Sequence, residues 1–273
     1  MNLENYFIRQ FSSRYVGDDG AIVGKWVYSK DAFYEDVHYR RKWLTCTEIA
    51  RKAMLVNISD AIAMNATPKY ALLSVAMPDN MTKKEAQELA KGFEKTAKEY
   101  NIEIIGGDTI CNTKLDITVT LVSHVKKPLR RNGLKSGDYI AYTGEIGKSA
   151  KELRKLLYFN SVSKYSKFKH LKLRRAFIEK AAAQLSCGMD ISDGLMSDLE
   201  KLAHINSLGF RFFEKISKQK GCSGEEYEML VGFDKRRKKA IIRKAKQTRT
   251  PLHIIGVAAR NKYTNRCKGH HFG

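Results

Sequence analysis

The aspartates of this sequence are concentrated in short motifs that could hold metal ions. Eight of the 13 aspartates lie in segments rich in glycine, serine or neighbouring acids, namely Asp18, Asp19, Asp31, Asp36, Asp60, Asp108, Asp190 and Asp193. Neighbouring carboxylates repel one another unless a cation neutralises them, and Mg²⁺ prefers oxygen ligands from carboxylates, water and phosphate. The motifs therefore predict a site for several Mg²⁺ ions and a polyphosphate. The alternative is that each aspartate only caps a helix or stabilises a turn.

Two glycine-rich segments complement the acids. Gly106-Gly107 lets the backbone approach a phosphate closely just before Asp108. The segment 144–149 leads into a predicted helix whose N-terminal amides could hold an anion. Its spacing differs from that of a P-loop, and the sequence also lacks the His-Arg-Asp and Asp-Phe-Gly pair of protein kinases. Phosphate binding is thus predicted without either of these common signatures.

Helix and strand signals along the chain supply the scaffold for these motifs. Thr45 and Thr82 each precede a glutamate by three residues, which is the spacing of a capping box, and they predict helices that end near residues 66 and 100. Alternating apolar residues predict a strand over 115–124. Further strands are predicted at 25–30, 70–76, 102–105, 139–143, 210–213, 227–231 and 252–257, and further helices at 150–157, 173–185, 195–206 and 234–247.

The stretch 126–137, which contains one proline and two glycines, is the predicted domain boundary. Residues 1–127 would form an N-terminal domain that binds ATP and metal and mediates dimerisation, and residues 128–273 a C-terminal domain. Helices and strands are mixed in both parts, which predicts an α+β protein of two α/β domains. We find no internal repeat and no low-complexity segment.

The ordered set of motifs resembles the thiamine-monophosphate kinase family, within the aminoimidazole-ribonucleotide synthetase-like superfamily. The matching segments are Gly17-Asp-Asp-Gly-Ala21, Asp31 to His38, Asn57-Ile-Ser-Asp-Ala-Ile-Ala-Met64, Gly106-Gly-Asp-Thr109, Asp190-Ile-Ser-Asp-Gly-Leu195 and Gly224-Glu-Glu-Tyr-Glu228. The resemblance implies Mg²⁺-assisted phosphoryl transfer from ATP to thiamine monophosphate, which yields thiamine diphosphate. It also implies a homodimer whose N-terminal sheets pair across the two-fold axis, and a C-terminal α+β sandwich.

The resemblance also assigns roles to individual positions. The residues that match metal ligands of the family are Asp19, Ser29, Asp31, Asp60, Asp108, Asp190 and Asp193. Those that match nucleotide contacts are Gly107, Asp108, Arg131 and Ser192, and those that match the thiamine phosphate site are His38 and Glu225. For His38 the alternative is a packed loop histidine, and for Arg131 a surface arginine in a basic loop.

The sequence departs from the family pattern at several positions. Lys30 stands where the family commonly has threonine, so one metal ligand would be lost or replaced by a backbone carbonyl. The tail 269–272 lacks the aromatic residue that usually stacks on thiamine, and His270 or Phe272 would have to take its place. The segment between residues 147 and 190 is also shorter than usual.

The predicted reaction places few demands on acid–base chemistry. Transfer between two phosphates depends mainly on metal bridging and on positioning of the anions. The attacking phosphate oxygen is largely deprotonated at neutral pH, so no strong general base is required, and the sequence offers no obvious one. We therefore predict no catalytic side chain beyond those that hold the metals and the substrates.

The net charge of +21 resides in two segments. Residues 151–185 hold ten Lys/Arg and two Glu, and residues 235–273 hold thirteen Lys/Arg and no acid, whereas the rest of the chain balances 27 basic with 27 acidic residues. A helix over 234–247 would turn Ile241, Ile242 and Ala245 inward and a basic face outward. That face is either simply solvated or attracts anionic substrates. Nucleic acid is disfavoured as a partner because no recognised binding module accompanies the charge.

The five cysteines and the apolar segments bear on the compartment. The cysteines are scattered and form no Cys-x-x-Cys pair, so we expect free thiols rather than a disulfide framework or a zinc site. No apolar run approaches the roughly 20 residues that span a bilayer, and the N-terminus does not resemble a signal peptide. A cytoplasmic enzyme is therefore expected. The alternatives are another ATP-using enzyme of the superfamily, such as one of hydrogenase maturation or selenophosphate formation, and a basic RNA-binding protein.

Overall fold

The computed structural model describes residues 3–267, and its contacts divide the chain into two units. The N-terminal unit consists of Gly20–Pro128 and Glu152–Leu173. The C-terminal unit consists of the residues up to Asp19, together with Leu129–Lys151 and the chain from Arg174 onward. The break after Pro128 lies one residue from the division predicted after residue 127. The first nineteen residues and Glu152–Leu173, however, each group with the unit opposite to the one predicted.

A five-stranded sheet forms the frame of the N-terminal unit. Its strands are β1 (Ala21–Val23), β2 (Trp26–Tyr34), β3 (Thr67–Pro78), β4 (Glu103–Asn112) and β5 (Asp116–His124). Their order is β1-β2-β5-β3-β4, in which β3 and β4 are parallel and all other neighbours antiparallel. Buried and half-buried residues alternate along β5, as its sequence predicts, and Ile117, Val119 and Leu121 face the core.

Strands β2 and β4 extend well beyond their predicted ends. The sequence places the end of one strand at residue 30 and of the other at residue 105, whereas they continue to Tyr34 and Asn112. Asp31 and Asp108 consequently lie within strands, not at strand ends. Pairing with β5 and β3 along their whole lengths satisfies backbone groups that a local reading assigns to a loop.

Two capped helices accompany this sheet, α2 (Cys46–Ala63) and α3 (Lys83–Tyr100). Both predicted capping boxes are present, because the Thr45 and Thr82 side chains each accept a backbone N–H and the glutamate three residues later returns the bond. The two helices approach closely at Gly92, where a Cβ atom would lie 2.7 Å from the Thr47 carbonyl oxygen. A glycine at this position therefore allows the helices to pack.

The basic segment Glu152–Leu173 is held to α2 by specific contacts. It contains most of helix α4 (Lys148–Phe159) and a following loop. The buried Lys52 ammonium lies 3.6 Å from the centroid of the Phe168 ring, a cation–π contact, and Lys169 Nζ lies 3.2 Å from a Glu48 carboxylate oxygen. These contacts explain why the segment belongs to the N-terminal unit.

A second sheet of five strands forms the centre of the C-terminal unit. Its strands are β6 (Tyr139–Thr143), β7 (Cys187–Asp190), β8 (Gly209–Phe212), β9 (Met229–Phe233) and β10 (Leu252–Ala259). They are antiparallel in the order β7-β9-β6-β10-β8. The helices of this unit are α1 (Leu3–Ile8), α5 (Arg175–Ala181), α6 (Leu195–Asn206), α7 (Lys218–Gly221) and α8 (Lys238–Gln247). Among residues 3–267, no helix combines the length and apolarity that crossing a membrane requires.

Helix α6 supplies much of the apolar core of this unit. Leu195, Leu199 and Leu202 are fully buried and cluster with sheet residues such as Met189 and Leu230. The predicted span of α6 agrees with the structure at both ends. Since α6 begins directly after the Asp190–Asp193 motif, its burial fixes where that motif lies.

The predicted basic helix is α8, preceded by a short 3-10 turn at Lys235–Arg237. Ile241 and Ala245 are buried and Ile242 is half-buried, while most of the lysines and arginines are exposed. The inward and outward faces therefore agree with the sequence prediction.

A buried ion pair links β9 to the start of α5. Arg174 Nε and Nη2 donate to the two Glu228 carboxylate oxygens at 2.6 and 2.7 Å, and the Thr143 hydroxyl donates to the same carboxylate at 2.8 Å. Both charged side chains are almost completely buried. Removal of one partner would leave an uncompensated charge in the interior.

We predict that Arg174→Met lowers the free energy of unfolding by about 3–5 kcal/mol, because the Glu228 carboxylate then remains buried without its cation. Urea unfolding followed by circular dichroism measures this loss. Arg175→Met is the matched control, since Arg175 pairs with Glu179 on an exposed helix surface, where such a pair contributes about 0.3–0.5 kcal/mol. Equal stability losses in the two variants would contradict the prediction.

Candidate functional site

Ser29 and Asp31 project from the same face of β2. Along this strand Val27, Ser29 and Phe33 are buried and Asp31 is half-buried, whereas the alternate residues from Tyr28 to Tyr34 are exposed. The Lys30 side chain points to the opposite face because successive side chains of a strand alternate. Lysine in place of threonine at this position therefore leaves the face that carries Ser29 and Asp31 unchanged.

Asn57 connects three elements of the N-terminal unit and was not singled out from the sequence. Its side chain is completely buried, accepts a hydrogen bond from the Ser29 hydroxyl and donates one to the Val119 carbonyl. Asp60 follows one turn later in the last turn of α2, so it lies within the helix. The buried amide thus fixes α2, which carries Asp60, against β2, which carries Ser29.

Gly106 and Gly107 lie in β4, where the backbone conformation favours glycine. Both have positive φ angles, and a Cβ atom on Gly107 would overlap the Leu73 carbonyl of the neighbouring strand. Asp108 follows in an exposed position, and one of its carboxylate oxygens accepts the Thr109 amide at 2.9 Å.

A cleft of about 310 Å³ opens beside this glycine pair. Its floor is apolar and comes from β3 and α3, and its lining includes Leu73, Val75, Met77, Leu89, Phe93, Gly107 and Asp108. The cleft combines an apolar floor with a glycine-rich, acidic rim. This arrangement suits a ligand with one apolar end and one phosphorylated end.

His38 lies in the loop after β2 and has a defined tautomer. Its Nδ1 accepts the Tyr34 backbone N–H at 3.0 Å, so the proton of the neutral ring resides on Nε2. The ring also lies 5.6 Å from that of Phe33. It is thus a packed loop histidine that also presents a hydrogen-bond donor. Asp36, in the same loop, has φ 64° and pairs with Lys114, which agrees with the turn alternative for that residue.

Asp18 and Asp19, in the C-terminal unit, are held by two consecutive arginines. Arg130 Nη1 lies 3.1 Å from an Asp18 carboxylate oxygen, and the Arg131 backbone N–H donates to the other Asp18 oxygen at 2.8 Å. The Arg131 guanidinium donates through Nε and Nη2 to the buried Asp19 carboxylate. Arg131 is therefore not a surface arginine, because it holds one of the predicted metal ligands.

Charges around Arg131 keep its guanidinium protonated. Burial by itself lowers the pKa of Arg131, but the carboxylates of Asp19, Asp190 and Asp198 raise it above its ordinary value. Asp190 ends β7, and one of its carboxylate oxygens lies within 4.8 Å of one from Asp19. Two predicted metal ligands, far apart in sequence, thus meet within the C-terminal unit.

Lys201 pairs with the predicted ligand Asp193 and with Asp198, which was not singled out from the sequence. Its ammonium lies 2.6 Å from an Asp193 carboxylate oxygen and 3.0 Å from one of the completely buried Asp198. The pKa of the Asp198 carboxyl is raised to about 6, chiefly by burial and also by the Asp193 carboxylate, while the Lys201 ammonium opposes the rise. The i, i+3 spacing of Asp198 and Lys201 on α6 is the only sequence signal for this pair.

Ser192 and Glu225 meet through their backbones. The Glu225 N–H donates to the Ser192 carbonyl at 2.7 Å, and the Glu225 carbonyl accepts the Ser149 hydroxyl at 2.9 Å. Glu225 and Tyr227 have φ angles of 53° and 50°, a left-handed conformation that is uncommon for residues with side chains. The structure therefore joins a predicted nucleotide contact to a predicted substrate contact.

The N-terminus of α4 is not available to an external anion, contrary to the prediction for segment 144–149. The Glu226 carboxylate accepts the Gly147 and Ser149 amides at 2.7 and 3.2 Å and the Ser223 hydroxyl at 2.6 Å. An internal carboxylate thus satisfies the amides that a phosphate would need. No sequence pattern indicates this contact, because Glu226 lies nearly eighty residues away along the chain.

The expectation that all cysteines are free is wrong for one pair. Cys222 and Cys267 form a disulfide with a Cα–Cα distance of 5.5 Å, whereas Cys46, Cys111 and Cys187 are free. The partners are 45 residues apart and carry no local signature. His270, a predicted substrate contact, lies outside the described residues.

Comparisons with known proteins agree with these motifs. Residues 17–125 match the N-terminal domain of AIR synthase related proteins. The chain is 33% identical over 236 residues to the thiamine-monophosphate kinase of Nitrosopumilus maritimus, which covers 79% of this chain and 76% of that protein. It is 32% identical over 221 residues to the thiamine-monophosphate kinase of Leptospira interrogans, covering 77% and 70%.

The fold also matches a solved structure of a complex. AaThiL complexed with AMPPCP and TMP superimposes with a TM-score of 0.87 at 23% identity, over 99% of this chain and 96% of that one. Together with the match of residues 17–125 to the N-terminal domain of AIR synthase related proteins, this superposition confirms the α+β fold of the aminoimidazole-ribonucleotide synthetase-like type.

Proposed function

The chain belongs to the thiamine-monophosphate kinase family, and we propose that it transfers the γ-phosphoryl group of ATP to thiamine monophosphate, yielding thiamine diphosphate and ADP. The observation that carries the proposal is the meeting of Asp19 with Asp190 beside Arg131 in the C-terminal unit. Relatives named as thiamine-monophosphate kinases at 32–33% identity favour this activity over the other ATP-using activities of the superfamily.

The carboxylates fit Mg²⁺. The proposed donors are all hard oxygens, and the proximity of the Asp19 and Asp190 carboxylates favours a divalent cation that offsets their repulsion. The residues proposed to hold the ions are Asp19, Ser29, Asp31, Asp60, Asp108, Asp190 and Asp193. When bound, Mg²⁺ would neutralise phosphate oxygens and bring the donor and acceptor phosphates into line.

The nucleotide is proposed to use the cleft beside β4. The apolar floor formed by Leu73 and Phe93 suits the adenine ring, and Gly107 lets the polyphosphate approach the backbone beside Asp108. Ser192 and Arg131 are the further proposed contacts of the nucleotide. Arg131 would contact the nucleotide while its Nε and Nη2 atoms continue to donate to the Asp19 carboxylate.

The acceptor phosphate is proposed to bind near His38 and Glu225, with His270 as a further contact to thiamine. The Nε2–H of His38 can donate to a phosphate oxygen, because Nδ1 is already occupied by the Tyr34 amide. Glu225 is fixed by two backbone-directed bonds, so its position is set before substrate binds. The acceptor oxygen is already anionic, so no side chain need deprotonate it, and the Nε2–H of His38 would serve only to bind and orient it.

We place the enzyme in the cytoplasm as a homodimer. The edge strand β4 exposes Ile105 and Ile110 at 51% and 57%, and the face of β2 opposite to Ser29 exposes Tyr28 and Tyr34. An edge with unpaired backbone groups and exposed apolar side chains favours association with another sheet. The family resemblance implies that a second copy of this chain binds to this surface.

Incubation of the protein with ATP, Mg²⁺ and thiamine monophosphate is expected to produce thiamine diphosphate and ADP in equal amounts, as measured by liquid chromatography. Asp60→Asn and Asp193→Asn are each expected to lower kcat by at least about a hundredfold, because the metal loses an anionic ligand. Circular dichroism should show that both variants remain folded.

Asp234→Asn is the control for these aspartates. Asp234 caps the 3-10 turn before α8 through the Arg236 amide and lies outside every proposed ligand set. It should retain the kcat of the unmodified protein. Absence of thiamine diphosphate with the unmodified protein would refute the function, and full activity of Asp193→Asn would refute the metal assignment.

His38→Asn is expected to raise the KM for thiamine monophosphate about tenfold, since one charge-assisted hydrogen bond to phosphate is lost. Asparagine can still accept the Tyr34 amide through Oδ1, so the loop should remain in place. The KM for ATP should stay the same. His170→Asn, at an exposed histidine, is the control, and an unchanged KM for thiamine monophosphate in His38→Asn would exclude the proposed contact.

Sedimentation equilibrium is expected to give twice the chain mass of 31.1 kDa. Ile110→Lys should shift the protein toward the monomer, because a charge at an apolar interface is costly to bury. Val37→Lys changes an equally exposed apolar residue in the loop after β2 and should leave the dimer intact. A monomeric unmodified protein at micromolar concentration would contradict the assignment.

A further inference from the structure

The Cys222–Cys267 disulfide lies next to the segment that holds Glu225. Cys222 follows α7 directly and precedes Ser223, whose hydroxyl donates to Glu226 at 2.6 Å. Glu226 in turn accepts the first amides of α4. A covalent bond at Cys222 therefore acts on the first residue of the loop Ser223–Glu226, which we call the substrate loop.

The same loop packs against the acidic motif that ends at Asp193. Gly194 has φ 102°, and a Cβ atom there would lie 3.2 Å from the carbonyl oxygens of Gly221 and Ser223. The Glu225 amide donates to the Ser192 carbonyl. Movement of Cys222 would therefore change the contacts of Ser192 as well as those of Glu225.

Cys267 belongs to a segment that runs along α6. The Tyr263 hydroxyl donates to the Met196 carbonyl at 3.2 Å, and the Asn265 side chain donates to the Ser197 hydroxyl at 3.1 Å. The Cys267 sulfur lies 3.7 Å from the Met196 sulfur. The segment 263–267 is thus attached to α6 by hydrogen bonds from side chains, and to the substrate loop by the disulfide.

We propose that Cys222 and Cys267 form a reversible thiol–disulfide switch that controls how firmly the substrate loop is held. This inference rests on the proposed function, since the loop matters only if Glu225 contacts the phosphate substrate. A Cα–Cα distance of 5.5 Å lies within the ordinary range for a disulfide, so the bond forms without rearrangement of the backbone. In the proposed cytoplasmic setting such a bond is formed and broken by exchange.

The redox step is an exchange with a small-molecule disulfide. The thiolate of one cysteine attacks oxidised glutathione and forms a mixed disulfide, releasing one glutathione thiolate. The second cysteine, as its thiolate, then attacks the protein sulfur of that mixed disulfide and releases the other glutathione thiolate. Two protein thiols lose two electrons and two protons in total, and one glutathione disulfide becomes two glutathione thiols. A dithiol reductant reverses the sequence.

Oxidation is expected to lower the KM for thiamine monophosphate. With the disulfide formed, the substrate loop is already ordered, whereas after reduction part of the binding free energy must order it, which raises the KM about fivefold. The bond does not touch the reacting phosphates, so kcat should remain nearly constant. The KM for ATP should change less than the KM for thiamine monophosphate, since the loop reaches the proposed nucleotide contacts only through the backbone of Ser192.

The full-length protein should be equilibrated at defined ratios of reduced to oxidised glutathione and its thiols counted after denaturation. The count is expected to fall from five to three as the oxidised form increases, because five cysteines are present and three are free in the structure. Cys222→Ser and Cys267→Ser should hold the KM at the value of the reduced protein at every ratio. Cys111→Ser, which removes an exposed free thiol, should keep the full response.

Hydrogen exchange gives a readout that does not depend on turnover. Reduction is expected to speed amide exchange in residues 218–228, and Cys111→Ser should behave in the same way. A thiol count that stays at five, or exchange that does not change, would overturn the switch. If no thiamine diphosphate forms in either redox state, the proposed function fails, while the thiol count and the exchange rates still decide whether the disulfide controls the loop.

Discussion

The cost of placing carboxylates close together in the protein interior governs the C-terminal unit. Three buried acids there each pair with a basic residue: Asp19 with Arg131, Asp198 with Lys201, and Glu228 with Arg174. Glu226 uses the amide groups at the start of α4 and a serine hydroxyl instead of a cation. The Arg174–Glu228 pair joins the residue before α5 to the residue before β9, and Glu226 joins the substrate loop to the start of α4. These contacts are maintained because an unpaired charge in the interior would be costly.

The proposed site follows from the same constraint. Asp19 and Asp190 bring carboxylate oxygens within 4.8 Å of one another, even though Asp19 already has an arginine partner. Such proximity is tolerable when further positive charge is supplied, and a hard divalent cation supplies it. In the N-terminal unit the ordering element is a neutral amide, Asn57, which holds Ser29 and the helix of Asp60 by hydrogen bonds alone. Fixed surroundings of this kind keep ligands in place before the anions bind.

Structural features that depend on residues close together in the chain were predictable from the sequence. Both capping boxes, the alternation in β5 and the limits of α6 rest on residues a few positions apart, and all agree with the structure. The short family motifs likewise identified the aspartates that are the candidate metal ligands. Contacts between distant residues were not predictable: the occupation of the α4 N-terminus by Glu226, the Cys222–Cys267 disulfide, and the grouping of the segment around Phe168 with α2. In each case the partner is 45 or more residues away, and no pattern in a single sequence identifies it.

The distribution of positive charge separates the surface from the site. Arg130, Arg131 and Lys201, which pair with acids of the motifs, all come from the part of the chain that balances 27 basic with 27 acidic residues. The two basic stretches instead supply the exposed face of α8 and the segment around Phe168, although Arg174, from the first stretch, enters a buried pair. The net charge of the chain therefore does not describe this site, because the electrostatic interactions there act over a few ångströms within individual ion pairs. The excess positive charge acts at longer range, where it would raise the local concentration of two anionic substrates and be screened by salt.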